Sequence, residues 1–300
     1  MLVFVIPVKH PARSQSYERV CDLLRQTLRS VGAQTDQHFA TIVVCNQRPP
    51  WGEDTANLAF VEVDFPPAEP PANAKDWVNW LYLDRGAKIA VALRNAERFD
   101  PTHVMPVDAD DFVSNRLARF VREHPDAPGW YMPTGLIWSG LFRIGEPREK
   151  FWSYCGTSHI FRRDMLPVPA DLPLRPSRDE VIETLGQPYT ERILGNHVYY
   201  LRHFEERGVP LAPLPFIGGV WHADTGENSS RAWWRQTRFG PIWGRALEPE
   251  QVAEFGIPAG TRRATDTMLL YGWRARSTVA RAAKRLVGAT RALAAARAQV

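Results

Sequence analysis

No stretch of this 300-residue chain approaches the ~18 consecutive apolar residues that a membrane span requires. The opening run Leu2–Val8 leads straight into Lys9, with no charged leader, no apolar stretch of signal-peptide length and no cleavage pattern, so a cytoplasmic protein is expected. Cysteine is scarce. Cys21, Cys45 and Cys155 lie far apart and lack metal-ligand spacing, which excludes a zinc module or a disulfide framework. Cys21 and Cys45 sit within apolar patterns and read as buried free thiols. Acidic residues are missing from the last 27 positions, where Arg274, Arg276, Arg281, Lys284, Arg285, Arg291 and Arg297 supply seven positive charges. Without them the remainder carries 30 basic and 33 acidic residues, so the overall charge of +4 belongs to one terminal element. A body-wide nucleic-acid surface is thereby excluded.

What is present is the alternation of a layered α/β protein. Leu2–Val8 is a β-branched apolar run suited to a buried parallel strand. Tyr17, Val20, Leu24, Leu28 and Val31, spaced by three and four, predict a helix capped by Ser14 or Ser16 and stopping near Gly32. Strands follow at Thr41–Cys45 and Leu58–Val63, then a proline-rich loop at 66–71. A helix is predicted over Trp80–Arg98, and a strand at His103–Val107. Such alternation predicts a mainly parallel sheet with helices on both faces, whose ligands gather at the carboxyl ends of the strands. The second half is less regular. Short strands are expected within Tyr131–Tyr154, helices at Ser177–Leu185 and Tyr189–Arg207, and an extended stretch at Pro210–Trp221.

At the end of the fourth strand stands Asp108-Ala109-Asp110-Asp111. Carboxylates two residues apart on extended backbone point to the same side. No basic residue stands nearby in sequence, so they form a dense negative site that Mg²⁺ or Mn²⁺ would neutralise, since oxygen-only ligands suit these ions. The plainer reading is an acidic turn capping a helix over Phe112–Glu123, with Asp111 as the cap. His222-Ala223-Asp224 follows the later extended stretch and could bring an imidazole to a metal held by Asp110. The polar loop after it, with Asn228, Ser230 and Arg231, could wrap a diphosphate through backbone N–H groups, hydroxyls and a guanidinium. A solvated turn with a surface histidine is the alternative.

Ser177-Arg178-Asp179-Glu180 offers two carboxylates, but matches the capping box S-x-x-E better. His197 lies near the start of a helical pattern and could serve as a general base, or merely pack. Arg85 and Lys88, one helical turn apart, could hold phosphate or a base, or form a solvated basic face. Trp233–Phe239 interleaves aromatics with arginines, for stacking on sugar rings or for core packing; 11 tryptophans in the chain leave both open. The tail from Trp273 is alanine-rich and basic. It is expected to be helical and to contact an anionic membrane surface through residues 273–300, with a docked terminal helix as the alternative.

Several passages together resemble the GT-A glycosyltransferases, especially the family 2-like branch. The first strand Val3–Val8, the passage Ser30-Val31-Gly32-Ala33-Gln34-Thr35 followed by Phe39–Val44, the D-x-D passage Val104–Asp111 and the strand Cys155–Arg163 stand in that family's order, over about residues 2–230. The resemblance implies a GT-A type, Rossmann-like mainly parallel sheet. One domain would span 1–260, with a nucleotide-sugar-binding half at 1–111 and an acceptor-side half at 112–260. A C-terminal helical extension would follow at 261–300. It also implies a nucleotide-diphosphate sugar donor, UDP-linked by preference, and a carbohydrate or lipid-linked hydroxyl acceptor. Asp110 would bind Mn²⁺ or Mg²⁺, Asp108 the ribose or the metal's water shell, and His222 would be a further protein contact to the metal. Pro7, Val8, Arg85 and Lys88 would lie near base and ribose.

The chain departs from that pattern twice. The family's acid after the second strand, which helps hold the nucleoside, is replaced by Cys45-Asn46-Gln47, so the resemblance does not fix the base, and Asn46 is the nucleotide-sugar-binding candidate there. Where the family carries its catalytic acid pair, this chain has Asn196-His197. His197 is therefore the first choice of base in an inverting transfer, with Asp179, Glu180 and Asp224 as rivals. A nucleotidyltransferase of the same fold group is disfavoured because Lys9-His10-Pro11-Ala12-Arg13 lacks a glycine-rich phosphate loop. A non-catalytic carbohydrate-binding or scaffold protein is the remaining alternative.

Overall fold

Every residue from Leu2 to Ile6 is buried, because the first strand, β1 (Leu2–Pro7), pairs on both edges. It runs parallel to β2 (Phe39–Cys45) on one side and to β4 (His103–Pro106) on the other, with Val5 opposite Ile42 and Pro106. β3 (Leu58–Glu62) extends the parallel set beyond β2. Beyond β4 the sheet turns antiparallel through β9 (His159–Arg162) and β6 (Gly129–Tyr131), and ends on the short β10 (Ala212–Pro213). The order is β10-β6-β9-β4-β1-β2-β3. The computed structural model describes residues 1–67, 74–228 and 244–258, with side chains of 74–78 excepted. Ser230, Arg231, the Trp233–Phe239 passage, most of the proline-rich loop and the basic C-terminal extension lie outside the described residues. Among the described residues, no helix is long and apolar enough to cross a membrane.

The alternation of β1 divides the core. Leu2, Phe4 and Ile6 pack with Val20, Leu24 and Val31 of α1 (Tyr17–Gly32) and with Leu117, Ala118 and Val121 of α3 (Leu117–Glu123). Val3 and Val5 pack on the other face with Ile89, Val91 and Leu93 of α2 (Ala74–Ala96). A period of two on the strand thus feeds helices on both sides, as the sequence predicts. Ser16 caps α1, its hydroxyl accepting from the Arg19 N–H. The thiols of Cys21, Cys45 and Cys155 are buried and free.

A second, four-stranded sheet has the order β5-β11-β7-β8, built from Phe112–Val113, Gly219–His222, Thr134–Ser139 and Ile144–Glu149. Two sequence expectations are corrected here. The helix expected over Phe112–Glu123 begins only at Leu117, with Arg116 at its N-cap. Phe112 and Val113 pair instead with Val220 and Gly219 of β11. The helix expected over Tyr189–Arg207 is broken into a π-helical segment at Tyr189–Leu194, a 3₁₀ turn at His197–Tyr199 and α5 (Tyr200–Glu205). The cause is packing. A Cβ on Gly195 would lie 1.9 Å from the Tyr82 carbonyl oxygen, and one on Gly86 would lie 1.8 Å from the Thr190 carbonyl oxygen. The two backbones therefore touch, and only glycine at both points allows it.

Candidate active site

The chain leaves β4 through Val107 and turns at once, the Asp111 N–H donating to the Asp108 carbonyl at 3.1 Å. Three carboxylates crowd this turn, and each meets a different environment. Asp108 accepts Arg85 Nε and Nη2 on one oxygen, at 3.0 and 2.9 Å, and its own N–H donates to Thr157 Oγ1. It therefore has a basic partner after all, 23 residues earlier in the chain. Gly156 makes the pair sterically feasible, since a Cβ there would lie 2.4 Å from Asp108 Oδ2 and 2.6 Å from Arg85 Nη2.

Asp111 is not a helix cap. It is 1% exposed and accepts Thr157 Oγ1 at 2.7 Å, Cys155 Sγ at 3.1 Å and the His222 N–H at 3.2 Å. It thus ties the turn to β9 and to the second sheet. Burial, and then the charges of Asp110 and Asp108, push its pKa well above the usual carboxylate range. Asp110 stands between these two. Its Oδ2 accepts Thr225 Oγ1 at 3.0 Å and Asn228 Nδ2 at 3.1 Å, and no cation pairs with it among the described residues. Burial, followed by the Asp108 charge, pushes its pKa up to about 6.

The His222–Asn228 loop closes over this carboxylate. Asn228 Nδ2 also donates to the His222 carbonyl at 2.8 Å, and Asn228 Oδ1 accepts the Thr225 N–H at 3.1 Å. The His222 ring is buried between Trp138 and Phe112, with Nε2 3.5 Å from Asp224 Oδ1 and Nδ1 without a hydrogen-bond partner among the described residues. Asp224 holds the β7–β8 turn through Ser139 Oγ and the N–H groups of Gly140 and Leu141. Burial opposes its charge, but hydrogen bonds from His222 and Ser139 outweigh that and keep its pKa below the usual value. Its oxygens are committed to this turn, which removes it as a rival base. Asp179 and Glu180 are exposed at the start of α4 (Arg178–Leu185), where Ser177 and Glu180 form the predicted capping box.

On α2, beside the end of β1, the expectation for Lys88 is corrected. It is 1% exposed and donates to the Val8 carbonyl at 2.9 Å and to Asp84 Oδ2 at 2.8 Å, so it is an internal cation rather than a phosphate ligand. Pro7 ends β1 beside it. Asn46 donates Nδ2 to the carbonyls of Val63 and Phe65, which leaves Oδ1 buried and without a partner among the described residues. Arg85 reaches beyond Asp108 to the carbonyls of Leu194 and Gly195, at 3.4 and 3.1 Å. It thereby anchors the turn that carries Asn196-His197. His197 has its Nε2 buried and, among the described residues, without a hydrogen-bond partner; burial, and then the Arg85 charge, lower its pKa to about 4. The imidazole is neutral at physiological pH and lies within the field of both Arg85 and Asp108.

The residues fit a divalent cation in part. Among the described residues Asp110 is a carboxylate without an ion-pair partner, beside two further acids, which is the donor chemistry of Mg²⁺ or Mn²⁺. Among the described residues, however, no three His, Cys, Asp or Glu side chains converge to hold an ion. Such ions are commonly bound through one or two carboxylates and substrate phosphates, so Asp110 carries the fit and His222 does not complete a protein cage. Sequence reasoning missed the roles of Arg85, Thr157 and Glu227. Their partners lie 23 to 218 residues away, and nothing local marks them.

The fold and site together define a mixed α/β protein with an acidic turn at the carboxyl end of its central parallel strands. No protein-family model matches the chain, and no curated protein matches it. Among solved structures it is similar to S. aureus TarS 1–349, with 15% identity over 74% of this chain and a TM-score of 0.34. The chain covers 60% of that TarS structure. It is also similar to a protein of Desulfovibrio desulfuricans G20, provisionally named a nucleotide-diphospho-sugar transferase, with 11% identity over 77% of this chain and 90% of that one and a TM-score of 0.29.

Proposed function

We propose that this chain is a glycosyltransferase that moves a sugar from a nucleotide-diphosphate donor to a hydroxyl acceptor with the help of Mg²⁺ or Mn²⁺. The observation that carries the reading is Asp110. It is a half-buried carboxylate at the carboxyl end of the central strands, oriented by Thr225 and Asn228 and, among the described residues, without an ion-pair partner. A bound divalent ion would neutralise charge building on the departing diphosphate. Asp108, locked by Arg85, presents its second oxygen toward the donor's ribose. The neutral His197 imidazole accepts the acceptor's proton at Nε2 as the hydroxyl attacks the anomeric carbon, in a single inverting displacement.

The test is donor hydrolysis and transfer with Mn²⁺, comparing wild type with Asp110→Ala across a panel of nucleotide sugars. Loss of metal-dependent turnover is expected in the variant, and equal activity in both would sink the metal assignment. In the same assay His197→Ala is expected to lose roughly 10²- to 10⁴-fold in turnover with donor binding intact. Unchanged turnover rejects it as the base.

A further inference from the structure

Glu227 is 6% exposed, and a carboxylate that deep is costly unless its oxygens are satisfied. Here both are. Oε1 accepts the N–H groups of Gln15 at 2.8 Å and Ser16 at 2.9 Å, and Oε2 accepts Lys9 Nζ at 3.0 Å and the Gln15 N–H at 3.1 Å. Lys9 Nζ also donates to the Glu227 carbonyl at 2.9 Å. The carboxylate sits at the N-terminus of the 16-residue α1, where negative charge is favoured. Every one of these contacts joins residues more than 200 positions apart, so none serves local structure. Its neighbours Thr225 and Asn228 reach the other way, to Asp110 Oδ2. Gly226, at φ +82°, supplies the left-handed turn between them.

We propose that Lys9 and Glu227 are positioning residues for Asp110. They clamp the Thr225–Asn228 loop onto the end of β1 and the start of α1, so that Thr225 and Asn228 hold one oxygen of Asp110 and leave the other to the donor-side cation. This rests on the reading of Asp110 as the carboxylate that binds that ion. Groups that orient a ligating carboxylate are commonly worth 10- to 100-fold in metal affinity.

Two readouts on the full chain separate the clamp from the metal reading. The first is hydrogen exchange of peptides covering 222–228, without metal. Faster exchange is expected in Glu227→Gln and in Lys9→Met, and wild-type protection in both overturns the clamp. The second is Mn²⁺ affinity, titrated by electron paramagnetic resonance with UDP present. Each variant is expected to bind roughly 10- to 100-fold more weakly, and the double variant no worse than the weaker single one. Wild-type affinity in both singles, or additive losses in the double, overturns the positioning role. Glu227→Gln keeps the shape of the side chain, and Lys9→Met leaves the buried acid in place, so one of them reports even if the other unfolds. Mn²⁺ binding unaffected by Asp110→Asn would reject the metal reading and the positioning role with it, while the exchange result on the clamp would stand.

Discussion

Gly86 lies in the interior of the 23-residue α2, where glycine is the poorer helix former. On an isolated helix, Gly86→Ala would stabilise by up to ~1 kcal/mol. The structure demands the opposite sign. The new Cβ would sit 1.8 Å from the Thr190 carbonyl oxygen and 2.9 Å from the Gly195 N. Reaching van der Waals separation moves α2 or the π-helical segment by roughly 1.5 Å or more. Overpacking of this kind costs ~1–3 kcal/mol. The retreat also threatens the Arg85 bonds to the Leu194 and Gly195 carbonyls, each worth ~1–3 kcal/mol. After the helix gain is subtracted, a net loss of roughly 2–4 kcal/mol is expected, about 3–6 °C in Tm for a chain of this size. Calorimetry reads it directly. Gly32→Ala is the control, because nothing lies within 4 Å of a Cβ there; it should leave Tm unchanged or raise it. A Gly86→Ala protein as stable as wild type, or more so, would refute the contact between α2 and the segment that positions His197.

Two further outcomes are expected. His197 has its pKa lowered from the usual 6.5 to about 4, so between those values the unfolded chain binds more protons than the folded one. Its contribution is complete above pH 6.5 and is lost as pH falls toward 4, a difference of up to roughly 3 kcal/mol. Urea midpoints at pH 4.5 and 7 should differ less in His197→Gln than in wild type, and an equal difference would contradict the burial of this imidazole. Lys88→Met strips the cation from Asp84, which is 7% exposed, and should cost ~3–5 kcal/mol, whereas Lys88→Met combined with Asp84→Leu should recover much of it. Equal urea midpoints for the single and double variants would refute the internal pair.

The sequence was most readable where structure is local and periodic. The β1 run, the Ser16 cap, the Ser177–Glu180 capping box and the alternation of strands with helices all rest on neighbours within a few positions, and all appear in the fold. It misled where a distant segment outbids local preference. Phe112-Val113 belongs to a pattern that suits a helix, but β11, more than 100 residues later, recruits it as an edge strand. The Tyr189–Arg207 pattern also suits a helix, but the close approach of α2 through Gly86 and Gly195 breaks it into three pieces.

The acidic turn shows why a motif can be legible while the duties of its members are not. Three carboxylates within four residues repel one another wherever the chain places them, so each needs its own relief. Arg85, from α2, neutralises Asp108. Thr157 and Cys155, from the turn before β9, and the His222 N–H, from β11, take Asp111 into the core, where burial favours its protonated form. Both solutions come from segments that no spacing rule connects to the motif. Among the described residues, Asp110 receives two neutral donors, Thr225 and Asn228, on one oxygen. Neutral donors orient a carboxylate without cancelling its charge. Of the three acids, Asp110 is therefore the one that is neither ion-paired nor fully buried among the described residues, and positive charge brought by a ligand would be worth most beside it.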